Sequence, residues 1–412
     1  MTLFRHLRAS WRPLSSSSSS LACVVSKRFI NTKPATFSNI QYELINRPSA
    51  YHLDHLSPTN AKLLSVSLGD NLFDNSHSHH HQPPSFSAAT QTLPQGYHLV
   101  YFPPAHPTAV LLPDGTDEAH APGPPFTRRV WAGGSIRFHP GWQSKLALDG
   151  GPALCLETIE DVRIKGVPPS WNAGTGNMPG VGEKVFVDVR RQYTGLKQGH
   201  SRVEDVIDKQ NKEVDVGGHA AQLVRETVRE PAIEEWRTLC FMTPKSAEEA
   251  KRDAEDGERR VIRAPSYEPT YTLSFTPTPA LLFRFSALTF NAHAIHLDRH
   301  HCRHIEGYRD LLVHGPLLLT LLLTALRNAI LQQQGQSATT REPESAPSLP
   351  DSVKSLDYRN LAPVYVNEEL KICVRAPAPT AAAAEGKGDK KWDVWIVGPT
   401  GGLCVKGSAI IE

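Results

Sequence analysis

From Arg128 onward, apolar residues alternate with polar ones or gather in short blocks. WAGGSIRFH, LCLETIEDVRIKGV, KVFVDVRRQY, LVRETVRE and WRTLCFM read as strands set off by Gly and Pro. Upstream, SPTNAKLLSVSL (Ser57 to Leu68) offers Ser57 as an N-cap, Pro58 at the first helical position and apolar residues at helical spacing, which predicts a short helix. NSHSHHHQPPSFS (Asn75 to Ser87) is low in complexity and predicts an exposed loop. The charged stretch Lys245 to Arg260 reads as an interdomain linker, helical or solvated.

A second block follows. YTLSFTPTPALLFRFSALTF reads as strands, the last from Leu282 to Leu288. His314 to Gln334 is apolar on nearly every face, so it predicts a long helix covered all round. Gly335 to Pro350 is an insert of disordered composition. SLDYRNLAPVYVNEELKICVRA returns to strand character, Ala376 to Lys391 is an Ala/Gly/Lys loop, and WDVWIVGPTGGLCVKGSAII closes as a hairpin over a Gly-rich turn. The blocks echo each other: Ser135 to Pro140 and Tyr358 to Pro363 both lead into strand-rich sequence. The pattern suggests a duplicated unit of sheet plus helix, with halves at 41–245 and 263–412 joined by 246–262.

Composition narrows the function. The 412 residues hold 44 basic against 42 acidic side chains, a near-balance that argues against a nucleic-acid footprint. The six cysteines (Cys23, Cys155, Cys240, Cys302, Cys373, Cys404) are far apart, which disfavours a disulfide framework or zinc ribbon and fits a reducing compartment. Residues 1–40 are rich in Arg and Ser, and no acid precedes Glu43, the composition of a mitochondrial transit peptide. The apolar run GPLLLTLLLTAL (Gly315 to Leu326) ends at Arg327, well short of the roughly 20 residues that cross a bilayer, so a buried helix is expected and no membrane span.

The densest chemical signal is FRFSALTFNAHAIHLDRHHCRHIEGYRDLLVHGPLLLTLLL (Phe283 to Leu323). If the chain folds back here, the Asn291 amide and the His296 imidazole come to lie beside the start of an apolar helix. Such parts suit elimination of water next to a thioester carbonyl. Loss of the C2 proton pushes charge onto the thioester oxygen, which the free N–H groups of a helix N-terminus stabilise. A histidine can take a proton and return it to the leaving hydroxyl. Zinc is not called for by His293, His300, His301 and His304, because Cys302 is the only cysteine near them and the spacing fits no standard pattern. The His77, His79, His80, His81 run reads as loop bias.

These residues resemble the hydratase motif of MaoC-like hot-dog enzymes, Asp-x-Asn-Pro-(Leu/Ile/Val)-His. Here it covers Asn291 to His296, with Ile295 and His296 matching and Asn291, His293 and Ala294 departing from it. FSALTFNAHAIHLD and YRDLLVHGPLLLTLLL are similar to the fungal mitochondrial hydroxyacyl-thioester dehydratase type 2 group and to mesaconyl-CoA and itaconyl-CoA hydratases. LPQGYHLVYF, RRVWAGGSIRFH, DYRNLAPVYVNEEL and GPTGGLCVKGSA extend the likeness over most of residues 40–412.

The resemblance implies an α+β double hot-dog in which each half is an antiparallel sheet wrapped around a helix, acting as a hydro-lyase without cofactor or metal. It puts the catalytic histidine at His296, the oxyanion N–H at or next to Gly315, and a small hydroxyl near the site at Thr320. Asn291 stands where the family has its catalytic Asp and cannot act as a base at neutral pH. Either His296 handles both proton transfers, Asp298 substitutes, or activity is lost; the first is favoured, with Asn291 positioning water. Arg137 and Arg359 can meet the phosphates of a CoA or acyl-carrier pantetheine arm, or serve at a sheet edge. Three functions stay open. They are dehydration of 3-hydroxyacyl thioesters in mitochondrial (matrix) fatty acid synthesis, hydration of a short dicarboxylic acyl-CoA, and acyl-thioester binding without catalysis. A homodimer of the double unit also stays open.

Overall fold

The computed structural model describes residues 37–72, 92–166, 183–196, 227–256, 261–334, 352–377 and 390–412. The expected transit segment, the His-rich loop, the insert after Gly335 and most of the Ala/Gly/Lys loop lie outside them.

Ten strands form one antiparallel sheet: β1 (Ala50–His55), β2 (Arg128–Phe138), β3 (Pro152–Lys165), β4 (Lys184–Gly195), β5 (Ile233–Met242), β6 (Tyr271–Phe275), β7 (Val353–Asn360), β8 (Leu370–Arg375), β9 (Lys390–Val397) and β10 (Leu403–Ile411). Their spatial order is β1-β3-β4-β5-β2-β7-β10-β9-β8-β6. Read outward from the centre, the halves run 2-5-4-3-1 and 7-10-9-8-6, so adding five to each label converts one into the other. The duplication is real, and the fold is a double hot-dog. The halves meet where β2 pairs with β7 from Gly133↔Arg359 to Arg137↔Ser355, so the ladder is continuous between them.

Besides α1 (Phe37–Ile45), the helices are α2 (Pro58–Leu72), α3 (Trp142–Lys145), α4 (Ala247–Asp256), α5 (Pro279–Leu288) and α6 (Gly315–Gln333). Helix α6 is the rod around which the second half wraps. Its buried residues include Leu317, Leu319, Leu321, Leu322, Leu323 and Leu326, and a fully buried leucine contributes roughly 1.5–3 kcal/mol. At 19 residues α6 is longer than the dozen-residue run suggested, and is long and apolar enough to cross a membrane by length and composition; 67% of that window is buried inside the protein. In the first half the corresponding stretch between β1 and β2 is, among the described residues, α2 and the short 3-10 turns Tyr97–Val100 and Thr108–Val110.

Two expectations are corrected. Leu282 to Leu288 is not a strand but most of α5, capped by Thr278, whose Oγ1 accepts from the Leu281 N–H at 3.2 Å, with Pro279 in the first turn. In LVRETVRE, residues 223–226 lie outside the described set and 227–230 form a turn. The 246–262 segment, read as helical or solvated, is helical over Ala247–Asp256. It contains α4, which starts in a capping box: Ser246 Oγ accepts from the Glu249 N–H, and Glu249 Oε2 accepts from the Ser246 N–H. Buried Ala250 seats α4 against Gly307, where an added Cβ would lie 2.9 Å from the Ala250 carbonyl oxygen.

Candidate active site

Helix α5 leads into the loop that carries Asn291 and His296. Just beyond its end the backbone turns left-handed at Phe290 (φ 51), and the Asn291 N–H bonds back to the Ser286 carbonyl at 2.9 Å. Asn291 Oδ1 then accepts from the His293 N–H at 2.9 Å, the turn-forming bond typical of asparagine. This leaves the Asn291 amide NH2 as the part able to hold an oxygen. A single 3-10 turn, Ala294–His296, brings His296 to the edge of the loop.

His296 is 7% exposed, and its Nδ1 lies 2.8 Å from the Leu312 carbonyl oxygen. Because a carbonyl only accepts, Nδ1 carries the hydrogen and Nε2 keeps its lone pair. Burial brings the His296 pKa down to about 4, opposed by the Leu312 bond and aided by Arg129. The ring is therefore a neutral acceptor at physiological pH. It stacks on His314, with centroids 3.7 Å apart. His314 is the N-cap of α6, so the imidazole sits within one residue of the start of the helix. His314 itself is fully buried with Nε2 bonded to Ser286 Oγ at 2.8 Å, and burial keeps its pKa well below the ordinary value. Its role is to anchor α5 to α6.

Gly315 opens α6 and Pro316 follows it. Among the described residues no carbonyl accepts the Gly315 N–H, and Pro316 has no N–H to compete. A positive helix end therefore presents one free donor at this point. A Cβ at 315 would lie 2.6 Å from Trp131 Cγ, so glycine is required for the indole to pack there. Trp131 is held in turn by its Nε1–H, which donates to the Tyr358 hydroxyl at 2.8 Å.

His296, Asn291, His293, Gly315 and Pro316 all line one cavity of about 630 Å³ between the halves. Leu318, Val313 and Phe290 give it apolar wall, while Arg129, Arg237 and Tyr308 give polar wall. Arg129 pairs with Asp117 at 3.2 Å, and Arg237 with Glu235 at 2.8 Å.

Two expected binding residues lie elsewhere. Thr320 is fully buried, donates to the Pro316 carbonyl within its own helix at 3.0 Å and is not among the lining residues. Arg359 is exposed on β7 and is likewise absent from the wall. Arg137 sits over the Trp236 ring, and Asp298 is spent on the His300 and His301 N–H groups. Missed in the sequence were Trp131, Arg129 and the Asp114-Gly115 turn that abuts the loop from Asn291 to His296. The Asp-Gly pair is itself a turn signal, although nothing in it names its target.

A sequence model of the family described as hydroxyacyl-thioester dehydratase type 2 matches residues 96–197 and 193–366, together more than half of the chain. The chain belongs to that family. A Schizosaccharomyces pombe protein named hydroxyacyl-thioester dehydratase type 2, mitochondrial, is 27% identical over 294 residues, 70% of this chain and 80% of that one. The mesaconyl-C(4)-CoA hydratase of Chloroflexus aurantiacus is 31% identical over 250 residues, 60% of this chain and 69% of its own length. Among solved structures, a MaoC-like dehydratase from Phytophthora capsici aligns over 90% of this chain and 98% of its own, with 12% identity and a TM-score of 0.49. Membership in the dehydratase family makes the chain a hydratase/dehydratase, and the free Nε2 and free N–H above are the groups such chemistry needs.

Proposed function

We propose that this family member dehydrates 3-hydroxyacyl thioesters, carried on CoA or acyl carrier protein, to trans-2-enoyl thioesters. The proposed setting is fatty acid synthesis in the mitochondrial matrix. The carrying observation is the placement of an imidazole with an open Nε2 and a helix start with an open N–H on the wall of one cavity. The thioester oxygen accepts from the Gly315 N–H. His296 Nε2 takes the C2 proton and hands it to the C3 hydroxyl as the C3–O bond breaks. The departing water leaves the ring neutral again, so one histidine completes the cycle.

The experiment is turnover of 3-hydroxyacyl thioesters by the purified chain, beside His296→Ala. Loss of the acid/base group lowers kcat by about 10²–10⁴-fold. A His296→Ala protein working at the parent rate excludes this mechanism.

A second reading, hydration of a short dicarboxylic acyl-CoA, draws on cations in the wall. Arg309 is bound to Glu368 and Arg284 lies exposed on α5, but Arg129 and Arg237 line the cavity and can share a substrate carboxylate with their partners. Rates on medium-chain acyl and on C4–C5 diacid thioesters decide between the two.

A further inference from the structure

The MaoC-like hydratase motif that residues 291–296 resemble opens with a carboxylate, and this chain has the Asn291 amide there. A carboxylate does reach the catalytic loop, from the other half of the sequence. Leu112 to Thr116 forms a tight turn closed by the Gly115 N–H on the Leu112 carbonyl and the Leu112 N–H on the Thr116 carbonyl. The turn is docked on the loop: the Ala294 N–H donates to the Asp114 carbonyl at 2.8 Å. At Gly115 (φ +81) a Cβ would lie 2.1 Å from the Ala292 carbonyl oxygen, so no other residue allows so close an approach. Asp114 Oδ1 is taken by the Thr116 N–H and hydroxyl. Its other oxygen, Oδ2, faces His293 Nε2 at 3.5 Å.

His293 is 5% exposed, yet its ring lines the cavity and stands edge-on to His296, with centroids 5.6 Å apart. Its Nε2 makes no hydrogen bond among the described residues, and Asp114 Oδ2 at 3.5 Å is the carboxylate oxygen that faces it. Burial, His296 and Arg129 hold its pKa well below the ordinary value, with His301 acting in the same direction, so the ring is neutral. A neutral imidazole carries one hydrogen, and a facing carboxylate favours the tautomer with that hydrogen on Nε2. Nδ1 is then the ring's acceptor, on a ring that lines the same cavity as the base.

We propose that His293, oriented by Asp114, accepts the hydrogen bond from the substrate's C3 hydroxyl and from the water it becomes, the task for which Asn291 lacks a carboxylate. The proposal rests on the hydro-lyase reading above. The C2–H bond breaks, its proton goes to His296 Nε2, and its electrons form the C2=C3 bond as the C3–O pair leaves with oxygen. His296 returns the same proton to that oxygen. The hydroxyl's own hydrogen stays on the oxygen, donating a hydrogen bond to His293 Nδ1, and no proton is gained or lost. Asp114 is a positioning residue, since it acts through the ring.

The test measures kcat and KM for 3-hydroxybutyryl-CoA dehydration and crotonyl-CoA hydration in the full chain and four variants. His293→Leu lowers kcat by roughly 10²-fold, with KM changed by no more than about threefold. His293→Asn, whose Oδ1 falls close to the place of Nδ1, restores all but about tenfold. Asp114→Asn keeps the Thr116 bonds but turns a donor toward Nε2, forcing the hydrogen onto Nδ1; kcat falls about as far as in His293→Leu. The double variant Asp114→Asn/His293→Leu is no slower than His293→Leu alone. Parent-like kcat in His293→Leu, no rescue by Asn, or losses that multiply in the double variant overturn the proposal. Circular dichroism and melting separate these results from misfolding. A parent chain that turns over no acyl thioester sinks the hydro-lyase reading instead, whereas an active parent with indifferent variants sinks only the dyad.

Discussion

Replacing Gly315 by alanine places a Cβ 2.6 Å from Trp131 Cγ and 2.7 Å from Trp131 Cβ. Carbon atoms rest at about 3.5–4.0 Å, so either the indole or the first turn of α6 must move by roughly 1 Å. Turning the indole breaks its bond to the Tyr358 hydroxyl at 2.8 Å, and Tyr358 is itself buried in β7. A net cost of about 0.5–1.5 kcal/mol attaches to that bond, on top of about 1–3 kcal/mol for overpacking. The helix start is the softer part, because Gly315 precedes the first intrahelical bond, the Leu318 N–H to the His314 carbonyl. The free N–H therefore shifts away from the thioester oxygen. A misplacement of about 1 Å costs about 10²-fold in rate.

Alanine is a better helix former than glycine, and no positive φ is recorded at residue 315. Propensity therefore pushes stability up while the clash degrades the site. The assay is kcat for crotonyl-CoA hydration alongside urea denaturation. We expect kcat to fall by about 10²-fold while unfolding stability changes by no more than about 3 kcal/mol. A Gly315→Ala enzyme with parent kcat would show that this N–H does not carry the oxyanion.

The pH dependence follows from His296, whose pKa falls from 6.5 in the unfolded chain to about 4 in the fold. The unfolded chain binds the proton first, so this stabilising contribution is full above pH 6.5 and is lost as pH falls toward about 4. Its size is roughly 3 kcal/mol at about 1.4 kcal/mol per pKa unit. The acid limb of kcat/KM accordingly lies nearer pH 4 than 6.5; a limb at 6.5 would contradict a buried neutral ring. In the first half, Glu235 is fully buried, accepts from the Tyr193 hydroxyl at 2.5 Å and pairs with Arg237 at 2.8 Å. Glu235→Ala strands that guanidinium and destabilises by about 3–5 kcal/mol, read as a lower denaturation midpoint; an unchanged midpoint refutes it.

What the sequence made legible was whatever one continuous segment builds. Helix α6 announced itself because being apolar on every side leaves a helix nowhere to sit but inside. The loop from Asn291 to His296 and the helix start at Gly315 lie within one such segment, so their meeting needed only a fold-back. Helix α5 was misread because seven residues from Leu282 to Leu288 satisfy strand length as well as helix spacing. The deciding mark was the Thr278-Pro279 cap just upstream, which outranks an apolar run. Arg359 illustrates a signal present but unused. In β7, Leu356 and Tyr358 are buried while Asp357 and Arg359 are exposed, so the period of two already placed the guanidinium on the outer face, away from the cavity wall.

The other wall of the site was beyond reach by construction. Trp131 meets Gly315, Asp114 meets His293 and Arg128 meets Glu306 at 2.8 Å, each across the junction of the halves. None of these pairs leaves a local pattern, because each joins residues far apart in the chain, from opposite halves of the sequence. The duplication that the strand echo disclosed is what creates those contacts. A fused double unit lets one half keep the base and the helix start while the other supplies the carboxylate and the clamp. Of the motif's departures, the one at His293 is where a carboxylate from the first half, Asp114, stands near at 3.5 Å.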